Sequence, residues 1–214
     1  MQRFLLALTI PVIGLGLAAC GDGTDTARYP IDPPPSQQVT GDQLGPTELR
    51  EVSLPGYASG DEIAWQGPDG AIRSNTGVLW ADEPQRAFTI TLARAISEMS
   101  GASVIAEPWP LSSPPQHKLD VRVEKALAAN DGYFRLKGRY FLSVEGSGAG
   151  SHHSRSFDIA VPVEQDNPAS IATAASQSVT LLAEQIATLG GPGTTIVATM
   201  PAPDDPFADL PPLF

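Results

Sequence analysis

Between residues 119 and 163, apolar side chains recur at every second position in three separate runs. Leu119, Val121 and Val123 alternate with Asp120, Arg122 and Glu124. Phe134, Leu136, Tyr140, Leu142 and Val144 share one phase, with Gly138 among them, while Arg135, Lys137 and Arg139 occupy the other. Phe157, Ile159, Val161 and Val163 repeat the pattern. A period of two puts alternate side chains on opposite sides of a strand, so each run has one face for a core and one for water. Asn130-Asp131-Gly132 supplies a hairpin turn between the first two runs, and residues 146–154, rich in Gly and Ser, read as a flexible loop before the third. The result is an antiparallel meander with one face to bury.

Two helical stripes can cover that face. Phe88, Leu92, Ile96 and Met99 recur at helical spacing after Asp82, a capping residue, and Glu83-Pro84, which suit a first turn. Gly101 follows as a left-handed cap. Asn167-Pro168 opens a second helix whose stripe is Ile171, Ala175, Val179, Leu182, Ile186 and Leu189, and Gly190-Gly191-Pro192-Gly193 stops it. Shorter strands are expected at residues 49–54, 61–66, 71–74 and 102–106, with a turn at Pro68-Asp69-Gly70. Pro108-Trp109-Pro110 interrupts the chain after the last of these. Helices and meander need one another, which predicts an α+β fold: an antiparallel sheet with two amphipathic helices on one face, in a single domain over residues 47–190.

The N-terminus predicts an address. Met1-Gln2-Arg3 is a short positive region, residues 4–16 are uncharged and apolar, and Leu17-Ala18-Ala19-Cys20 follows. The apolar run is too short to span a bilayer comfortably and reads as a secretory signal over residues 1–19. The tetrad resembles the lipobox of bacterial lipoproteins, which implies cleavage before Cys20 and acylation of its thiol. Cys20 is the single cysteine, so no disulfide or thiolate metal site competes for it. Gly21, rather than Asp, follows the cysteine, and the sorting rule this resembles implies the periplasmic face of the outer membrane. Residues 20–46 read as anchor and linker, with four Asp and the run Pro33-Pro34-Pro35, able to reach roughly 80 Å in polyproline form. Residues 191–214 read as a disordered tail with an apolar tip at Leu210, Leu213 and Phe214. A net charge of −11 excludes nucleic acid as a partner.

The order of elements resembles the ABC-type transport auxiliary lipoprotein component family, in particular the Pqi-type subunits that work with MCE-domain proteins. Residues 49–57 (L-R-E-V-S-L-P-G-Y) look like the family's opening strand. Trp80-Ala81-Asp82-Glu83 looks like the start of its first helix, and residues 119–124 and 133–142 resemble its paired central strands. Family members often add a strand soon after the lipidated cysteine; Arg28-Tyr29-Pro30 departs from this, since a proline there either removes such a strand or confines it to an edge. The resemblance implies a subunit without enzymatic activity or cofactor. Its expected partners are an MCE-domain transporter component, further copies of itself in a ring, and the membrane that holds its lipid. The ATPase and permease are separate chains in such systems, and no Gly-x-x-x-x-Gly-Lys-Ser/Thr loop occurs here.

Residues that could carry chemistry are few. His152-His153 would point to opposite strand faces and reads as a solvated loop pair rather than a metal site; His117 reads as surface. Ser151 beside His152 lacks a third group to orient a base, so no catalytic residue is assigned. Arg135, Lys137 and Arg139 form a positive stripe in an acidic chain, either a solvated face or a contact for an acidic partner. Trp80 is placed as a wedge at the helix start and Trp109 as an exposed anchor. A stand-alone periplasmic carrier of lipid or another hydrophobic ligand is the competing reading. It needs a cavity beneath the sheet, and the small residues Gly138 and Ala126 are where that reading places the room.

Overall fold

A computed structural model describes residues 26–36, 41–146 and 150–198. The three alternating runs form its centre. Strands β7 (His117–Ala128), β8 (Tyr133–Val144) and β9 (Gly150–Pro162) pair antiparallel in sequence order. Leu119, Val121, Val123, Leu136, Tyr140, Leu142, Phe157, Ile159 and Val161 are all buried on one face. Helices α1 (Pro84–Ser100) and α2 (Pro168–Ala187) bury Phe88, Leu92, Ile96, Val179, Leu182 and Ile186 in the same core. The fold is α+β, as the patterning requires.

Its sheet is mixed rather than purely antiparallel. Strand β2 (Thr47–Leu49) inserts parallel to both β7 and β6 (Val104–Ala106), giving, with β10 (Gly193–Ala198) at the far edge, the order β10-β9-β8-β7-β2-β6. The expected strand at residues 49–54 is largely an irregular continuation of β2 along β7. Arg50 N–H donates to the Leu119 carbonyl and Ser53 N–H to that of Val121, while Val52 N–H is taken by Thr89 Oγ1 on α1. A hairpin of β3 (Trp65–Gln66) and β4 (Ile72–Arg73) lies beside the end of β7, where Trp65 pairs with Ala128. Asp82 does not cap α1: Glu83 holds the cap position, and Asp82 instead binds the Arg86 side chain and Glu83 N–H. Asn167 does cap α2, accepting Ser170 N–H at 2.9 Å.

The larger corrections concern residues assigned to linker, loop and tail. Residues 26–36 are docked on the domain. Strand β1 (Ala27–Tyr29) pairs parallel with β5 (Val78–Trp80), ending before Pro30. Ile31 then enters the core, Asp32 N–H donates to Ser176 Oγ on α2, and Arg94 of α1 binds the Asp32 carboxylate at 2.9 Å. Three prolines in a row do not exclude docking; they remove donors and stiffen a segment held by its flanks. Leu44 is also fully buried, behind a turn in which Asp42 accepts from Leu44 and Gly45 N–H. Residues 150–154, expected in a loop, belong to β9. The chain leaving α2 also turns back rather than trailing away, and adds β10 (Gly193–Ala198) antiparallel to β9. A Cβ at Gly193 would lie 1.8 Å from the Ser154 carbonyl oxygen, so this return needs glycine there. The apolar tip of the tail, like Cys20, lies outside the described residues.

Gly138 sits opposite Val123, where β7 carries a bulge. A Cβ there would lie 2.2 Å from the Arg122 carbonyl oxygen and 2.8 Å from Phe157 Cζ. The space left by glycine is therefore filled by backbone and the Phe157 ring. Gly138→Ala is expected to cost about 3 kcal/mol in urea unfolding, since neither neighbour can yield without repacking the core. Tyr140 yields a second test. Its hydroxyl donates to the Gly190 carbonyl at 2.7 Å, fastening the turn after α2 to the sheet. Burial pushes its phenol up from 10 to about 12, with nearby Arg155 opposing. Between those values the unfolded chain ionises and the folded one does not. Stability is therefore fully retained below pH 10 and falls as pH rises toward 12. Urea midpoints measured across that range should drop for the native protein and drop less for Tyr140→Phe.

Candidate functional site

The outer face of the sheet, opposite the helices, carries the basic stripe. Arg135, Lys137 and Arg139 all lie there on β8, but they are not equivalent. Arg135 binds Asp131 in the preceding turn and lies over the Tyr133 ring; this pairing holds the Asp131 carboxyl below its usual range. Lys137 is 3.7 Å from Asp158 on β9. Arg139 has no carboxylate partner among the described residues. Its cross-strand neighbour is Arg122, so two guanidinium groups face each other on one surface. Like charges directly opposite are destabilising. The structure compensates from the side: the Phe141 ring lies 5.2 Å from the Arg122 guanidinium and 5.8 Å from that of Arg139, and Asp120 holds Arg122 through two hydrogen bonds.

Arg122 and Phe141 were not singled out from the sequence as parts of this site. A signal was present: Tyr140, Phe141 and Leu142 are successive, so one apolar residue falls in the polar phase of an otherwise alternating strand. On the outer face Phe141 has no core to fill, and it serves as the platform between two arginines.

The histidines are in strand, not loop. His152 Nδ1 accepts Val144 N–H at 3.3 Å, and His153 Nδ1 lies 3.1 Å from Thr195 Oγ1 of β10. Burial, reinforced by Arg155, lowers the His153 pKa and favours the neutral ring. His117 is half-buried rather than superficial, with its Nδ1 enclosed and unpartnered. Trp80 is buried against α1 as expected. Trp109 is half-buried, not a free anchor: its indole N–H donates to the Ser113 carbonyl at 2.7 Å, and its backbone N–H to Glu48.

No lipid-sized chamber lies beneath the sheet at Gly138 and Ala126. The space beside Ala126, walled by Leu54, Trp80, Phe88 and Phe134, measures about 10 Å³, room for roughly one water molecule. Larger concavities open to the surface. Two adjoining grooves of about 310 and 260 Å³ share Trp65, Asp166 and Ile171, and together run from the β7–β8 turn to the start of β5. Among the described residues, no helix is long and apolar enough to cross a membrane.

The described residues form a small α+β domain with a charged open sheet face. The family model for the ABC-type transport auxiliary lipoprotein component matches residues 29–187, and the chain belongs to that family. The match includes Tyr29, within the docked N-terminal segment. Two solved structures share the fold. One, an uncharacterized protein, is 20% identical with a TM-score of 0.59, covering 72% of this chain and 99% of that one. The other, a Xanthomonas campestris protein of family model DUF330, is 17% identical with a TM-score of 0.54, covering 76% of this chain and 90% of that one. No curated protein matches the chain.

Proposed function

We propose that this chain is the lipid-anchored auxiliary subunit of an ABC-type system that moves lipid between membranes, held by Cys20 at the periplasmic face of the outer membrane. It contributes contacts rather than catalysis, and its partner is an MCE-domain component. Further copies of itself, arranged as a ring, form the second association. The observation that carries this reading is the outer sheet face. Two facing arginines on a shared ring add nothing obvious to the fold, yet they are kept on the surface of a chain whose net charge is −11. Such a local positive field steers an acidic partner and fixes its register. With Arg135 and Lys137 occupied by neighbouring carboxylates, Arg139 is the centre of the contact and Arg122 its flank.

A stand-alone carrier loses ground to this reading, because the interior beneath the sheet is filled by side chains.

Cross-linking in intact cells followed by pull-down tests the assignment. Wild-type protein should recover an MCE-domain component; recovery of no transporter component would sink it. Arg139→Glu should lower that yield at least about tenfold, the loss expected when a paired interfacial charge is reversed, without changing the melting temperature. Cys20→Ala should release a folded domain from the membrane fraction and abolish transport. Transport undiminished in that variant would make the anchor incidental.

A further inference from the structure

The docked N-terminal segment determines which end of the domain meets the lipid. Ala27 pairs with Val78, and its N–H donates to the Gly77 carbonyl at 3.1 Å, so the chain is already on the domain by this point. Five residues separate Cys20 from Thr26, six Cα-to-Cα steps in all. Even fully extended they span no more than about 22 Å. That is a quarter of the reach expected for a free linker over residues 20–46. Strand β8 alone, with 12 residues, is roughly 40 Å long. The domain therefore cannot stand clear of its anchor, and the end carrying β1 and β5 is the near end.

At that end lies the Trp65 groove. Val78 belongs to both features, as the strand partner of Ala27 and as a wall of the groove. Ile63, Trp65, Pro168 and Ile171 complete the apolar lining, with the exposed Asn75 and Asp166 beside them. The indole of Trp65 is half-buried. An amphipathic ring of this kind suits the boundary between headgroups and acyl chains. Neither Lys nor Arg lines either part of the groove, whereas Asp166 lines both. This chemistry disfavours anionic headgroups and fits an ammonium group, which the carboxylate and the ring face both attract.

We propose that the Trp65 groove is the membrane-facing surface of the domain, seated on the ammonium headgroups of a zwitterionic phospholipid bilayer. The proposal rests on the reading of Cys20 as the lipidated residue.

The test uses the full acylated chain in vesicles of phosphatidylethanolamine with a minor phosphatidylglycerol fraction and a headgroup-nitroxide lipid as quencher. Because acylation occupies Cys20, a fluorophore can be attached at single introduced cysteines. Asn75→Cys and Asn130→Cys place it on the groove, and Glu145→Cys places it at the far end of β8; all three are surface positions, and matching melting curves verify the fold. With roughly 40 Å of strand between the two ends, quenching at 75 and 130 should exceed that at 145 at least about threefold. Replacing phosphatidylethanolamine by phosphatidylglycerol should reduce quenching at 75 and 130. Equal quenching at all three positions, or stronger quenching at 145, in protein that floats with the vesicles would overturn the proposal and leave the anchor standing. Quenching unchanged by the lipid exchange would overturn the ammonium preference. Protein that fails to float would remove the Cys20 anchor, and this proposal with it.

Discussion

The apolar faces of β7, β8 and β9 can leave water only beneath α1 and α2, and nearly every other feature of the molecule follows from that burial. At roughly 25 cal/mol per Å² of apolar surface, side chains such as Leu119, Leu136, Tyr140, Leu182 and Ile186, each wholly enclosed, supply the main driving force for the domain. Because strand side chains alternate, a one-residue slip would expose the whole set. The burial therefore also secures the register that brings Arg122 opposite Arg139 and Val123 opposite Gly138. The bulge at Val123 and the Phe157 ring then leave no lipid-sized volume under the sheet, which turns the functional question outward, to surfaces rather than to an interior cavity.

That outward face has its own balance. Placing two guanidinium groups side by side costs electrostatic energy, and the Phe141 ring and Asp120 offset part of it. Neither helps the core. The arrangement makes sense for a surface that waits for negative charge from elsewhere, which is what an accessory subunit of a multi-chain transporter requires. The other side of the molecule is organised differently. The docked segment laces α1 to α2 through Ile31, Asp32 and Arg94, and in doing so carries the chain's only cysteine to within a short tether of the fold. The basic stripe thus lies on the open face of the sheet, and the Trp65 groove lies at the end of the domain where β1 pairs with β5.

Much of this was readable from residue order. Periodicity of two and of 3.6 located the meander and both helices, Gly101 ended α1 with φ of 73° as expected of a left-handed cap, and the basic stripe lay on the face opposite the core. Those features depend on neighbours within a few positions, where backbone geometry leaves little choice. Cys20 as a lipid site is of the same local kind, and its reading rests on the leader motif alone.

What residue order could not show depends on partners distant in sequence. The proline-rich segment looks like linker by composition, yet Ile31 meets the core and Asp32 meets Arg94 across 62 positions. Glycines after α2 look like a stop, but Gly193 is where β10 approaches Ser154 too closely for any side chain. The parallel insertion of β2 between β7 and β6, the emptying of Gly138 for Phe157, and the Arg122–Phe141–Arg139 stack likewise arise from pairings that no local pattern encodes. Alternation says which face of a strand is buried; it is silent on which strand lies alongside, because that choice is made by the shape and volume of the whole core.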